Sequence, residues 1–147
     1  MPASRPSQRS ILLVEDEPDD VALVKRAFER AGVAYPLHPV SSGMEAIAYL
    51  NGDPPYFDRA RYPFPALVLL DLKMPRTDGF EVLRWIRHQA KLVDLPVVVL
   101  TGSNEIRDAN AAYQLGATSF MVKPLDFTSG SGWADTLDRL IKRNSLD

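Results

Sequence analysis

Five residues with reactive or charged side chains each stand where a short apolar run of the sequence ends: Glu15, Asp16, Asp71, Thr101 and Lys123. Three carboxylates that share one site repel one another, so such a site needs a cation to stay ionised. Oxygen ligands without cysteine or a neighbouring histidine favour Mg²⁺, which often bridges carboxylates to a phosphoryl oxygen. A hydroxyl and an ammonium group are the usual partners of phosphoryl oxygens. These residue types therefore indicate a phosphate site built around one reactive aspartate.

Asp71 is the candidate reactive residue because it ends the apolar run 66–70, which Pro65 and Pro75 flank. The run lacks polar alternation, which is typical of a strand buried on both faces. In open α/β sheets, ligands bind just beyond the carboxyl ends of such strands. An aspartate taken alone would more often cap the following turn. The interpretation of Asp71 therefore depends on what stands at the other strand ends.

Runs of strand length alternate with segments of helical spacing along the chain. The expected strands are 10–14, 37–40, 66–70, 96–100 and 119–122. The expected helices are 21–31, 43–50, 80–87, 106–113 and 133–141. Regular alternation predicts an α/β fold with a parallel sheet and helices on both faces, because each crossover is right-handed and covers one face. The carboxyl ends of the strands then share one edge, where the five candidate residues are expected to meet.

Length and composition predict one domain at 10–147, preceded by a flexible polar arm at 1–9. The net charge of -2 gives no reason to expect a nucleic-acid or membrane partner. The chain has no cysteine and no apolar stretch long enough for a signal peptide or a membrane span. These features predict a cytoplasmic protein.

Two further segments have both a structural and a functional interpretation. Asp19 and Asp20 stand where the first helix begins, and acidic residues there are ordinary helix-end chemistry. The segment 53–65 carries four prolines and four aromatic residues and predicts a long ordered connection into the central strand. Such a loop can be a partner surface, but aromatics with prolines more often pack a loop onto its own domain.

Four motifs of the sequence, in the same order, resemble those of the receiver domain of bacterial response regulators. They are Val14-Glu15-Asp16-Glu17, Leu70-Asp71-Leu72-Lys73-Met74-Pro75 with Asp78-Gly79, Leu100-Thr101-Gly102 and Val122-Lys123-Pro124. Each motif is weak alone, but four at the right strand ends are specific. The resemblance implies a flavodoxin-like, doubly wound five-stranded sheet of order 2-1-3-4-5. It also implies that Asp71 accepts a phosphoryl group from a sensor histidine kinase in two-component signalling.

The resemblance implies a magnesium site and its ligands. Asp16 and Asp71 would bind Mg²⁺ through their side chains, Lys73 through its backbone carbonyl, and Glu15 would support the ion. Lys123 would neutralise the incoming phosphoryl group. The cation would balance the negative charge of the equatorial phosphoryl oxygens during transfer.

The resemblance also implies a switch made of Thr101 and Phe120. Thr101 would hydrogen-bond the phosphoryl oxygen and move inward, and Phe120 stands where the family carries its aromatic switch residue. An inward Thr101 would leave space for Phe120 to rotate. Phe120 has a second interpretation, as a plain core aromatic, and it lacks the hydroxyl of the tyrosine often found at that position.

Two other functional classes compete with the receiver. A haloacid-dehalogenase-like hydrolase also forms an aspartyl-phosphate, but such enzymes carry an Asp-x-Asp motif whose second acid works as the general acid. In this chain Lys73 stands where that second acid would be. A phosphorylation-independent adaptor with a receiver-like fold would typically lack one of the site residues. Both classes fit the sequence less well than a signalling receiver does. Such a receiver is not an enzyme that acts on a separate substrate.

The sequence predicts output through protein contacts, because the chain ends at Asp147 just after the fifth helix and leaves no room for an output domain. Length and the 53–65 connection resemble the small response regulators that partner bacteriophytochrome-type sensor kinases. Those proteins often form homodimers. The sequence itself specifies neither the cognate kinase nor the downstream partner.

Overall fold

A computed structural model of the chain describes residues 9–72, 74, 79–102, 106–123, 127 and 132–143. The strands are β1 Ile11–Val14, β2 Leu37–Val40, β3 Leu67–Asp71, β4 Val97–Thr101 and β5 Ser119–Val122. The helices are α1 Pro18–Ala31, α2 Gly43–Asn51, α3 Gly79–His88, α4 Ile106–Gln114 and α5 Trp133–Arg143, with a 3-10 turn at Ala90–Leu92. The alternation of strand and helix is therefore confirmed. Apart from Arg9, the expected N-terminal arm lies outside the described residues.

The five strands form one parallel sheet in the order β2-β1-β3-β4-β5. Every residue of β1, β3 and β4 is buried, which explains why those segments are continuously apolar in the sequence. The register pairs Val14 with Leu70, Asp71 with Leu100 and Thr101 with Val122. The predicted flavodoxin-like fold and strand order are thus confirmed.

Alternate residues of each strand pack into one of two apolar layers. One layer joins the sheet to α2, α3 and α4, and the other joins it to α1 and α5. Ile11, Leu13, Leu69 and Leu100 belong to the α1/α5 layer. Strand parity therefore decides which helices a side chain at a strand end faces.

The helix ends follow local sequence signals. The Ser42 hydroxyl caps α2 by accepting a hydrogen bond from the backbone N–H of Glu45 at 3.1 Å. Gly32 and Gly52 end α1 and α2 in the left-handed conformation, at φ 71° and φ 75°. Over the described part of the chain, no helix is both long enough and apolar enough to traverse a bilayer.

The connection 53–65 packs against its own domain through aromatic rings. Tyr56 and Tyr62 contact Tyr49 of α2 with ring centroids 5.0 Å and 6.1 Å away. The Tyr49 hydroxyl donates a hydrogen bond to the Pro63 carbonyl at 2.9 Å. Phe57, by contrast, is 69% exposed. The packing interpretation therefore describes Tyr56 and Tyr62, whereas Phe57 and Phe64 are exposed.

Gly79, the first residue of α3, lies against the end of β3. A Cβ at this position would lie 2.5 Å from the Asp71 carbonyl oxygen and 2.6 Å from the Leu72 Cα. The Gly79 N–H also donates to the Leu72 carbonyl at 3.2 Å. A glycine is thus needed for α3 to begin beside the strand end that carries Asp71.

We expect Gly79→Ala to lower the free energy of unfolding by about 2 kcal/mol, because the added methyl group must displace backbone atoms. Urea denaturation measures the change. Gly102→Ala is the matched control, since a Cβ at Gly102 would meet nothing within 4 Å. Equal losses of stability in the two variants would contradict the steric argument.

Candidate functional site

The five predicted site residues lie at one edge of the sheet, where the carboxyl ends of the strands meet. Asp71 and Thr101 are the last residues of β3 and β4, and they are 4% and 2% exposed. Glu15 and Asp16 follow β1 directly, and Lys123 follows β5. The Lys123 backbone N–H donates to the Thr101 carbonyl at 2.7 Å, which fixes the end of β5 beside the end of β4.

The ammonium group of Lys123 is the centre of the charged contacts in this site. Its Nζ lies 2.8 Å from Glu15 Oε1, 2.9 Å from Asp20 Oδ2 and 3.4 Å from Asp71 Oδ2. The Lys123 side chain is only 8% exposed. Burial opposes its charge, but the hydrogen bonds to Glu15 and Asp20 outweigh that effect and raise its pKa. Lys123 therefore places a positive charge beside Asp71, at the end of β3.

Glu15 is the most deeply buried carboxyl of the site, at 2% exposed. Burial is the main reason that its pKa rises to about 7, and the neighbouring Asp71 adds to the rise while Lys123 opposes it. Its Oε2 accepts a hydrogen bond from the Glu17 backbone N–H at 3.2 Å. A cation in the site would favour the ionised form of this carboxyl.

The carboxylates of Glu15, Asp16 and Asp71 lie close enough together to hold a divalent cation. Each offers one oxygen, and these oxygens all lie within 4.8 Å of one another. Glu15 and Asp71 are buried and Asp16 is half-buried. An all-oxygen donor set of this kind fits Mg²⁺. Lys73, the predicted backbone ligand, lies outside the described residues.

Thr101 and Phe120 lie on adjacent strands with their side chains on the same face of the sheet. β4 and β5 pair Thr101 with Val122 and Val99 with Phe120, and paired residues of parallel strands point to the same face. Phe120 is 38% exposed and meets the Tyr113 ring edge-on at 6.0 Å between centroids. The alternative interpretation of Phe120 as a core aromatic is wrong, because β5 is an edge strand and leaves the ring partly in solvent.

Asp20 is the site residue that the sequence interpretation missed. It was expected to serve the start of the helix, and it does lie in the first turn of α1, but its carboxylate also binds Lys123. Glu15, Asp71 and Lys123 continue the strand alternation that faces α1 and α5, so the first turn of α1 lies over them. The available signal was the helical spacing of α1, because Asp20 precedes the apolar residues Val24, Ala27 and Phe28 by four, seven and eight positions and so lies on the same face of the helix.

The family model described as "Response regulator receiver domain" matches residues 11–130 of the chain. The matched segment contains all of the residues that form the site. Five of the curated relatives are considerably longer than this chain, which spans between 24% and 46% of their lengths.

The response regulator Rcp1 of the cyanobacterium Synechocystis is 37% identical over 113 residues, covering 77% of this chain and 75% of Rcp1. One solved structure is described as the Mn²⁺-bound form of Rcp1. The bound Mn²⁺ is a property of Rcp1.

Two solved structures of similar proteins cover nearly the whole chain. The bacteriophytochrome response regulator AtBRR is 39% identical with a TM-score of 0.76, over 93% of this chain and 92% of that one. The phosphorylated cyanobacterial phytochrome response regulator RcpA is 31% identical with a TM-score of 0.76, over 95% of this chain and 97% of that one. Sequence and structure comparisons thus both identify response regulators as the similar proteins.

Proposed function

The chain belongs to the response regulator receiver domain family, and on that premise we propose that Asp71 accepts the phosphoryl group that activates it. The chain is accordingly a phosphorylation-activated response regulator of two-component signalling, and its receiver is a signalling domain rather than a typical enzyme. The observation that carries the proposal is the placement of Asp71. Its carboxylate is buried at the end of β3, shares a carboxylate cluster with Glu15 and Asp16, and lies 3.4 Å from Lys123.

The transfer needs a carboxylate nucleophile and little other covalent chemistry from the protein. An oxygen of Asp71 attacks the phosphorus and forms a new P–O bond. The bond from phosphorus to the donor breaks, and its electron pair leaves with the histidine nitrogen of a kinase or with the acetate of acetyl phosphate. Lys123, already buried beside Asp71, supplies a positive charge for the added phosphoryl oxygens.

Mg²⁺ fits the carboxylate cluster, and Asp16 and Asp71 would hold it with support from Glu15. When bound, the ion offsets negative charge on the carboxylates and on the phosphoryl oxygens. The protein's own contribution is to keep these carboxylates within reach of one another at the ends of β1 and β3. That the Rcp1 relative has a Mn²⁺-bound form supports the assignment.

Asp16→Asn is expected to weaken Mg²⁺ binding by at least about tenfold, because it removes a charged oxygen ligand from the cluster. Isothermal titration with Mg²⁺ alone measures the effect without a phosphodonor. Asp19→Asn is the matched control, since Asp19 is exposed and lies outside the cluster. Unchanged affinity in Asp16→Asn would remove Asp16 from the proposed ligands.

The proposed partner that supplies the phosphoryl group is a sensor histidine kinase of the bacteriophytochrome type. The similarity to AtBRR and RcpA supports this choice. The test compares phosphotransfer to this chain from a purified bacteriophytochrome-type kinase and from a histidine kinase of another class. Faster transfer from the second kinase would contradict the proposal. Whether the chain acts as a homodimer is a separate question, which sedimentation with and without phosphorylation answers.

The proposed output is a change at Phe120 that Thr101 transmits. The added phosphoryl group carries about -1.5 to -2 charge and strong acceptors, which would draw the Thr101 hydroxyl inward. Thr101 and Phe120 share one face of adjacent strands, so space left by Thr101 is open to the Phe120 ring. The ring is partly exposed and contacts Tyr113 of α4, so its rotation would alter the surface between β5 and α4.

We expect Thr101→Ala to accept a phosphoryl group but to lose the response at Phe120, because the hydroxyl that senses the group is gone. NMR spectra of the Phe120 and Tyr113 rings, recorded with and without acetyl phosphate and Mg²⁺, report the response. The wild type should show ring shifts on phosphorylation. Equal shifts in Thr101→Ala and the wild type would exclude Thr101 as the transmitter.

A first test of the proposed function is incubation with acetyl phosphate and Mg²⁺, followed by intact mass. The expected product carries one phosphoryl group per chain. An unmodified chain under these conditions would contradict the proposal.

A further inference from the structure

Three carboxylates share the ammonium of Lys123, and they do so unequally. Nζ is 2.8 Å from Glu15, 2.9 Å from Asp20 and 3.4 Å from Asp71. An ammonium group has three N–H donors, so each carboxylate can take one. The contact with Asp71 is longer than an ordinary charge-assisted hydrogen bond, and the other two are of normal length. The lysine is therefore drawn away from the proposed nucleophile.

Asp20 differs from the other two carboxylates in position and in surroundings. It comes from the first turn of α1 rather than from a strand end, and its side chain is 35% exposed, against 0% for Glu15 and 6% for Asp71. Within the described part of the chain, Glu15 and Asp71 belong to the cluster that fits a metal ion, whereas Asp20 stands outside it. Asp20 is thus the partner of Lys123 whose carboxylate a bound cation would not use.

The position of the ammonium matters for the reactivity of Asp71. A lysine that closes on a carboxylate to ordinary ion-pair distance stabilises its lone pairs and makes it a weaker nucleophile. Lys123 reaches the site on a flexible four-carbon stem, so its position depends on the anchors at its end. Asp20 approaches from the α1 side and holds the ammonium there.

We propose that Asp20 is a positioning residue that holds the Lys123 ammonium back from Asp71. Asp71 then keeps its nucleophilic character, and the cation stays close enough to meet the group that is delivered. The inference rests on the proposed function, because it takes Asp71 as the phosphoacceptor. Asp20 contacts Lys123 and acts through it.

The test compares Asp20→Asn with Asp19→Asn, which removes an equal charge from the same turn of α1 at an exposed position. In Asp20→Asn, the first-order rate at saturating acetyl phosphate and Mg²⁺ should fall by about tenfold, because the lysine moves onto the nucleophile. Asp19→Asn should stay within about twofold of the wild type, because exposed charges are strongly screened. Asp20→Glu keeps a carboxylate within reach of Lys123 and should restore most of the rate. Equal rates in Asp20→Asn and Asp19→Asn would overturn the proposal.

A structural readout separates positioning from a general loss of stability. In a crystal structure of metal-free Asp20→Asn, the distance from Lys123 Nζ to Asp71 Oδ2 should shorten from 3.4 Å to an ordinary ion-pair length. An unchanged distance would overturn the proposal even if the rate falls. If Asp20→Asn does not fold, a crystal structure of the wild type with Mg²⁺ tests the inference instead. The contact between Lys123 and Asp20 should persist in that structure, and its loss would count against the inference.

The same measurements keep this inference separate from the proposed function. If Asp71 is not the phosphoacceptor, the wild type gives no phosphorylated product at Asp71, whatever the geometry of Lys123. If Asp71 is the phosphoacceptor but Asp20 does not position the lysine, the wild type is phosphorylated and Asp20→Asn matches Asp19→Asn.

Discussion

Asp71→Asn is expected to abolish phosphorylation by acetyl phosphate, with a rate at least about a hundredfold below that of the wild type. The amide has nearly the shape of the carboxylate but lacks its charge and its nucleophilic oxygen. It also removes the negative charge of one of the three carboxylates in the cluster that fits Mg²⁺. Intact mass over time, at a fixed Mg²⁺ concentration, measures the rate.

The matched control for Asp71→Asn is Asp135→Asn, which makes the same chemical change at an exposed position in the first turn of α5. It should be phosphorylated at the wild-type rate. Borohydride reduces an acyl phosphate, so peptide mapping after reduction identifies the modified residue. A phosphoryl group found on another residue of the wild type, or normal labelling of Asp71→Asn, would refute the assignment of Asp71.

Lys123→Met should have the largest effect on stability. The substitution keeps an unbranched side chain of similar length but removes the charge that lies among Glu15, Asp20 and Asp71. Leaving buried carboxylates without their cation should lower the free energy of unfolding by about 3 kcal/mol at neutral pH. Urea denaturation in the presence of a chelator measures the loss, and phosphorylation by acetyl phosphate should also be strongly reduced.

The loss of stability in Lys123→Met should depend on pH, and the raised pKa of Glu15 shows in which direction. Burial already raises the Glu15 pKa from 4.5 to about 7 in the presence of Lys123. A carboxyl whose pKa is raised on folding contributes stability at low pH and loses it as the pH rises through the folded pKa. Removing Lys123 strengthens that trend, because it removes the group that opposes the rise. The variant should therefore lose more stability at pH 8 than at pH 5, and Mg²⁺ should restore part of the loss at pH 8.

Lys142→Met serves as the control for the loss of a lysine. Lys142 pairs with Asp138 at 3.1 Å on the surface of α5, where its side chain is 67% exposed. Exposed pairs of this kind contribute little, so its stability should stay near that of the wild type at both pH values. A Lys123→Met protein as stable as Lys142→Met at pH 8 would show that the buried cation does not hold the carboxylates together.

The sequence by itself determined the fold and five of the six residues that form the site, which consists of five charged side chains and the Thr101 hydroxyl. Continuous apolar runs such as 66–70 are typical of strands buried on both faces, and their alternation with helices predicts a parallel sheet. A parallel sheet brings its carboxyl ends to one edge, so Glu15, Asp16, Asp71, Thr101 and Lys123 had to meet there.

Only the tertiary structure decided how Lys123 is shared and that Asp20 takes part. The sequence placed Asp20 at a helix start, but whether its carboxylate reaches Lys123 depends on how α1 packs on the sheet. The exposure of Phe120 likewise follows from the position of β5 at the edge of the sheet. The sequence shows which residues stand at the ends of the strands and so reach the site. It does not show a contact such as that of Asp20 with Lys123, 103 positions away, because that contact depends on how a helix packs on the sheet.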